Sequence, residues 1–191
     1  DDGLAAPSAN RFGHISPTTA QHVRDEFGTQ LELILDGGAA QVGIESTIID
    51  ARTPELRILR PGAITAEQIM HLAGAVAPIP ALARPRVSGA LKSHYAPRTR
   101  TELRDRVEIE TLADAACRQA TLVLSIATLP ASYDGIALSA DPAEYSHALY
   151  AALRALDARN AAQILIERPP QTPAWTRSEE HTSEPRLNCL K

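Results

Sequence analysis

The chain has 191 residues, with 44% hydrophobic and 4% aromatic residues, and its 19 Lys and Arg against 23 Asp and Glu leave a formal net charge of −4. That length and content allow one or two domains around an aliphatic core, while the scattered bases argue against a nucleic-acid-binding face as the main feature. No apolar run reaches the roughly 20 residues of a membrane span, no signal-peptide pattern opens the chain, and the two cysteines, Cys117 and Cys189, lack the spacing of a disulfide framework or zinc site; a cytoplasmic α/β protein is the class expected.

The chain opens on a loop, APSANRFGHISPTT (6–19). Ser16 as cap and Pro17 as first helical residue predict a helix with Ala20, Val23 and Phe27 on its apolar face. Leu31 to Gly38 alternates like a strand and ends in a glycine turn. Gly43 to Ala51 reads as a second strand and Leu56 to Gly62 as a third pairing with it, around a turn at Arg52 to Glu55. Thr65 and Gln68 then form a capping box for a helix that Gly74 stops. Residues 77–100 hold several prolines and no period. A connection this long without regular structure is characteristic of a lid or binding loop.

Beyond residue 100 the pattern alternates between strand and helix. LADAACRQA (112–120) predicts a short helix, TLVLSIA (121–127) a buried strand and GIALSA (135–140) another strand. Asp141 and Pro142 cap a long helix that places Tyr145, Leu149, Ala152, Leu153 and Leu156 on one face. QILIERPP (163–170) is a further buried strand. Strands alternating with helices predict a parallel sheet covered by helices.

Three short stretches invite a chemical reading. Ser8, Asn10 and Ser16 precede a helix start, which favours anions, and Gly13 lets backbone approach a ligand. The same residues also suit an ordinary turn and cap. In GIESTIID, Glu45 and Thr47 are expected on one strand face, with Ser46 on the other. Arg60 stands at a strand end, where its planar fork suits phosphate, though taken alone a surface arginine is the favoured reading. No Ser-His-Asp or Cys-His set is evident, and His14, His22, His71, His94 and His147 are expected to be structural or solvated.

The ordered series APSANRFGHISPT, LDGG, GIESTIID, ILRPGAI and SGALKSHYAP closely resembles the threonylcarbamoyl-AMP synthase family, in its longer form with a YrdC-like domain and a small C-terminal domain. The resemblance runs from Leu4 to Trp175. It implies an α/β fold: the C-terminal part of a YrdC-like twisted sheet domain (1–76), a linker or lid (77–100) and a small Rossmann-like parallel domain (101–176). It implies condensation of L-threonine, bicarbonate and ATP into threonylcarbamoyl-AMP with release of pyrophosphate, the product passing to tRNA threonylcarbamoyl-transfer proteins. By motif match Ser8, Asn10, Ser16, Arg60 and Tyr95 would contact ATP, and Ser46 and the backbone near Ala6 would hold threonine. Mg²⁺ is expected on the phosphates, and catalysis by positioning and charge neutralisation, with no covalent catalytic residue.

Two departures qualify that expectation. The family's upstream basic Lys-Arg-Pro motif does not precede Leu4, so the first half of the catalytic domain is expected to be absent and the polypeptide inactive. RSEEHTSEPRLNCLK (177–191) resembles the in-frame translation of a common sequencing adapter, so a non-native tail is expected there. A double-stranded RNA-binding module is the alternative reading, disfavoured by the acidic balance. A hydrogenase-maturation carbamoyl-transfer domain is disfavoured because the zinc-finger-type cysteines are missing.

Overall fold

A computed structural model describes residues 3, 8–76, 96–112 and 120–175. Ala6, His94, Tyr95, Cys117, Cys189, most of the 77–100 linker, most of the 112–120 helix and the adapter-like tail lie outside the described residues.

The architecture is mixed α/β. Helix α1 (Ala20–Phe27) is followed by a 3-10 turn, then strands β1 (Ile48–Asp50) and β2 (Arg57–Arg60) form a two-stranded antiparallel sheet. Helix α2 (Ala66–Ala73) carries the expected capping box: the Thr65 hydroxyl accepts from Gln68 N at 3.2 Å, and the Gln68 carboxamide accepts from Thr65 N at 2.9 Å. Gly74 ends it with a positive φ of 83°.

The second half holds strands β3 (Arg100–Arg104), β4 (Thr121–Ile126), β5 (Asp134–Leu138) and β6 (Gln163–Glu167), with helices α3 (Arg106–Thr111) and α4 (Pro142–Asp157). The four strands make an all-parallel sheet in the order β3-β6-β4-β5. β4 and β6 occupy its centre, which explains their nearly continuous apolar sequences. Side-chain alternation splits them between two cores. Leu122, Leu124, Ile164 and Ile166 face α4 and meet Tyr145, Leu149, Leu153 and Leu156. Val123 and Leu165 face the other way, onto Ile109 of α3 and Tyr133. The Asp141 carboxylate caps α4, accepting from Ala143 N and Glu144 N, each at 2.9 Å.

The opening segment shares the α4 core. Ile15 is buried within it and Ile44 packs against it. Gly43, at φ 75°, lies so close to the His147 backbone carbonyl that any Cβ would overlap it. His147 Nδ1 donates to the Gln41 carbonyl at 2.8 Å, and Ala96 N donates to Gly13 O at 3.1 Å.

Several sequence expectations need correction. The first helix starts at Ala20, capped by Thr19, whose hydroxyl accepts from His22 N at 3.2 Å. Ser16 is therefore no cap: Thr18 N donates to His22 Nδ1 instead, and Thr19 itself holds the extended N-cap conformation. No strand forms over 31–38: no described strand pairs with it, its backbone groups find no ladder, and Leu33 and Leu35 stay 74% and 83% exposed. The second strand shrinks to three residues, since its pairing with β2 begins only at Ile48, opposite Arg60 where β2 ends. Strand β3 and helix α3 had no counterpart in the sequence reading. Leu112, expected to begin a helix, is the residue that ends α3.

Candidate functional site

Strand β2 delivers Arg60 at its end, buried to 8% exposure. Its guanidinium donates to the Ser46 carbonyl through Nε at 3.1 Å and Nη2 at 2.9 Å, and Nη2 also reaches the Ser46 hydroxyl at 3.2 Å. The same Nη2 lies 3.5 Å from the Glu45 carboxylate. The other Glu45 oxygen accepts from the Ser16 hydroxyl at 2.6 Å. Ser16, Glu45, Ser46 and Arg60 are thus one connected polar cluster, joining the opening loop to the β1–β2 sheet. A charged pair with so little water around it needs partners for its remaining donors and acceptors, and here the Ser16 hydroxyl and the Ser46 carbonyl and hydroxyl are among them.

The backbone of 45–47 is fixed from the far side as well. The Thr47 hydroxyl donates to Ile64 O at 2.6 Å and accepts from Ile64 N at 3.1 Å. A Cβ on Gly62 would overlap the backbone of Glu45, Ser46 and Thr47, so only glycine allows this approach. Residues 45–47 are not strand, and Arg60 reaches both the Glu45 carboxylate and the Ser46 hydroxyl. The strand alternation expected to set these two apart is consequently absent.

The loop residues are held mainly by one another. The Asn10 carboxamide donates to Arg11 O and His14 O, both at 3.1 Å, while its Oδ1 is buried without a partner. Ser8 is exposed at the start of the described loop. Glu26 of α1 binds His14 Nδ1 at 2.6 Å and accepts from Arg11 N at 3.3 Å. Burial pushes the Glu26 carboxyl up, but the Arg11 amide and the Arg154 guanidinium outweigh that and hold it below the usual carboxylate range. Burial, reinforced by Arg154, holds the His22 ring below its ordinary pKa. Its unprotonated Nδ1 is then free to accept from Thr18 N.

Beside this loop is a cavity of about 340 Å³, lined among others by Arg11, His22, Asp25, Arg98, Arg154 and Asp157. Its charges are largely paired within the wall: Arg98 with Asp157 at 3.3 Å and Arg154 with Glu26 at 3.2 Å.

Of the residues singled out from sequence, the structure brings Ser16, Ser46 and Arg60 together, leaves Ser8 and Asn10 on the loop leading to them, and does not describe Ala6 or Tyr95. The sequence reading missed Glu45, the group linking the three. Its signal was present in the motif, an acid next to two hydroxyl residues, but partnership with Ser16 across 29 residues is not visible locally. Among the described residues no three His, Cys, Asp or Glu side chains come close enough to hold a metal ion, and no described helix is long and apolar enough to cross a membrane.

Comparison with known proteins follows the same division. The family model for the threonylcarbamoyl-AMP synthase C-terminal domain matches residues 64–177, and one described as telomere recombination matches residues 1–62. The threonylcarbamoyl-AMP synthase of Pyrococcus abyssi is 40% identical over 99 residues, covering 49% of this chain and 29% of that protein. The enzyme of that name from Schizosaccharomyces pombe is 48% identical over 75 residues, covering 39% and 18%. The one from Bacillus subtilis is 39% identical over 98 residues, covering 49% and 28%. Among solved structures, P. abyssi Sua5 complexed with L-threonine superposes with a TM-score of 0.75 at 29% identity, covering 93% of this chain and 56% of that one. The chain therefore spans less than a third of these curated relatives in matched sequence and about half of the solved chain.

Proposed function

The chain belongs to the threonylcarbamoyl-AMP synthase family, and we propose that the protein these residues come from condenses L-threonine, bicarbonate and ATP into threonylcarbamoyl-AMP for threonylcarbamoyladenosine formation in tRNA. In this reading the amine of threonine adds to bicarbonate with loss of water, giving a carbamate. A carbamate oxygen then attacks the α-phosphorus of ATP, and the bond to pyrophosphate breaks. No protein nucleophile is needed, so the residues serve by positioning and by neutralising charge.

The observation that carries the reading is the convergence of Ser16, Ser46 and Arg60 on Glu45. Three groups far apart in sequence, each in a motif shared with the family, are held in one buried network. Ser8, Asn10, Ser16 and Arg60 form the nucleotide side, joined by Tyr95 from the linker. Ser46 and the backbone at Ala6 form the threonine side. A P. abyssi relative of the same fold was solved with L-threonine, which supports threonine as the amino acid. Mg²⁺ is proposed here as a counter-ion of the ATP phosphates, and no step is assigned to it.

Titration calorimetry with ATP and with L-threonine tests the assignment. Arg60→Gln and Ser16→Ala are expected to weaken ATP binding about tenfold or more, while Ser46→Ala weakens threonine selectively. Measured on the full-length protein, unchanged affinities in all three variants, or no binding of either ligand, would overturn the reading.

A further inference from the structure

Arg154 sits on α4, in the small parallel-sheet half, yet its guanidinium leaves that half. It donates to the Ile15 carbonyl, reaches the Ser16 carbonyl at 3.4 Å and pairs with Glu26 at 3.2 Å. Both charged partners are well buried, with side-chain exposures of 15% and 8%. Glu26 in turn holds the loop from its other oxygen, through His14 Nδ1 and the Arg11 amide. The His14 carbonyl then accepts from Asn10. One arginine of the small domain therefore terminates a chain of bonds running along residues 10–16, the segment that ends at the Ser16–Glu45–Arg60 cluster.

We propose that Arg154 is a positioning residue for the nucleotide side of the site: it fixes the backbone at Ile15 and Ser16, so that the Ser16 hydroxyl stays on Glu45 and the loop keeps its ligand-facing shape. The small domain thereby acts on nucleotide binding through a single side chain. This rests on the proposed role of the loop in ATP binding, and the experiment separates the two claims. An arginine is required because three acceptors in different directions are served by one planar fork. A lysine at this position keeps the charge on Glu26 but cannot hold both carbonyls in the same geometry.

The test compares the full-length protein with its Arg154→Gln, Arg154→Lys and Glu26→Gln variants in two ways. Amide hydrogen exchange is followed at His14, Ile15, Ser16 and Thr18 and, as an internal reference, at Leu122–Leu124 and Ile164–Ile166. Calorimetry follows ATP and L-threonine separately. The expected result for Arg154→Gln is at least tenfold faster exchange at 14–18 with the reference amides unchanged. ATP affinity falls about tenfold and threonine affinity changes less than twofold. Arg154→Lys recovers part of both effects, and Glu26→Gln reproduces them more weakly. Unchanged exchange at 14–18 overturns the proposal, as does loosening of the reference amides in proportion, or faster loop exchange with ATP affinity intact. If the full-length unsubstituted protein binds no ATP, the functional reading falls, and the exchange data alone decide whether Arg154 holds the loop.

Discussion

Replacing Arg60 tests the central cluster most directly. In Arg60→Gln the Glu45 carboxylate keeps only the Ser16 hydroxyl among its described partners, in a setting where both side chains of the original pair are about nine-tenths buried. At 3.5 Å and an effective dielectric near 20, the gross attraction lost is about 5 kcal/mol. Release of the desolvated guanidinium offsets part of this, and loss of its bonds to the Ser46 carbonyl adds to it. A net destabilisation of about 3–4 kcal/mol follows, at the lower end of the range for removing one partner of a buried pair. Glu45→Gln leaves Ser16 an acceptor and should cost about 1–2 kcal/mol. The double variant no longer strands a charge, so it should cost less than the two singles together by at least about 1 kcal/mol. Urea unfolding, followed by amide signals of Ser46, Thr47 and the β4 core, gives the cycle. Additivity within about 0.5 kcal/mol would mean that Glu45 and Arg60 do not act as a pair, and the cluster would lose its claim to be the organising element of the site.

Gly43→Ala should cost about 2–4 kcal/mol, because it combines a positive φ of 75° with overlap onto the His147 carbonyl; a urea midpoint equal to that of the unsubstituted chain would refute the close docking of this loop on α4. Leu149→Ala removes a fully buried side chain from the α4 core and should cost about 2–5 kcal/mol by the same measurement. The folded-state pKa of Glu26 lies below its ordinary value of 4.5, so the stability this carboxylate adds is fully present above that pH and is lost as pH falls through the folded pKa. Urea midpoints measured from pH 6 down to about 3 should therefore fall more steeply for the unsubstituted chain than for Glu26→Gln, and parallel curves would contradict the assignment.

Elements whose stabilisation is local were legible in the sequence. The Thr65–Gln68 capping box and the Asp141 cap are satisfied within three residues, and the one-sided apolar face of α4 predicts its burial without knowledge of what it meets. The central strands β4 and β6 were equally plain, because apolar sequence on both faces has few other uses. Residues 31–38 mark the limit. Their alternation satisfies every local criterion for a strand, but a strand exists only where a neighbour supplies hydrogen bonds, and no described strand does so. β3 was missed for the converse reason. Arg100, Glu102 and Arg104 give it a polar sequence, and its regularity comes from pairing with β6 in parallel register. Its alternating charges, with Glu102 between Arg100 and Arg104, stabilise one another on the exposed face.

For the candidate site, residue types were legible and partnerships were not. Ser16, Ser46 and Arg60 each stand in a recognisable motif, but the expected uses of Ser16 as a cap and of Ser46 on the strand face opposite Glu45 followed from local periodicity that the backbone does not keep. What overrides it is tertiary demand. Glu45 needs a cation and a donor once it is buried, and Arg60 and Ser16 supply them. The carbonyls of Ile15 and Ser16 likewise need donors once Ile15 enters the α4 core, and Arg154 arrives from the same helix that buries it. The burial of one apolar side chain and the hydrogen bonding of its own backbone are thus met by a single helix. The described shape of the opening loop leans on α4 for both, and the nucleotide side proposed for the site would inherit that dependence.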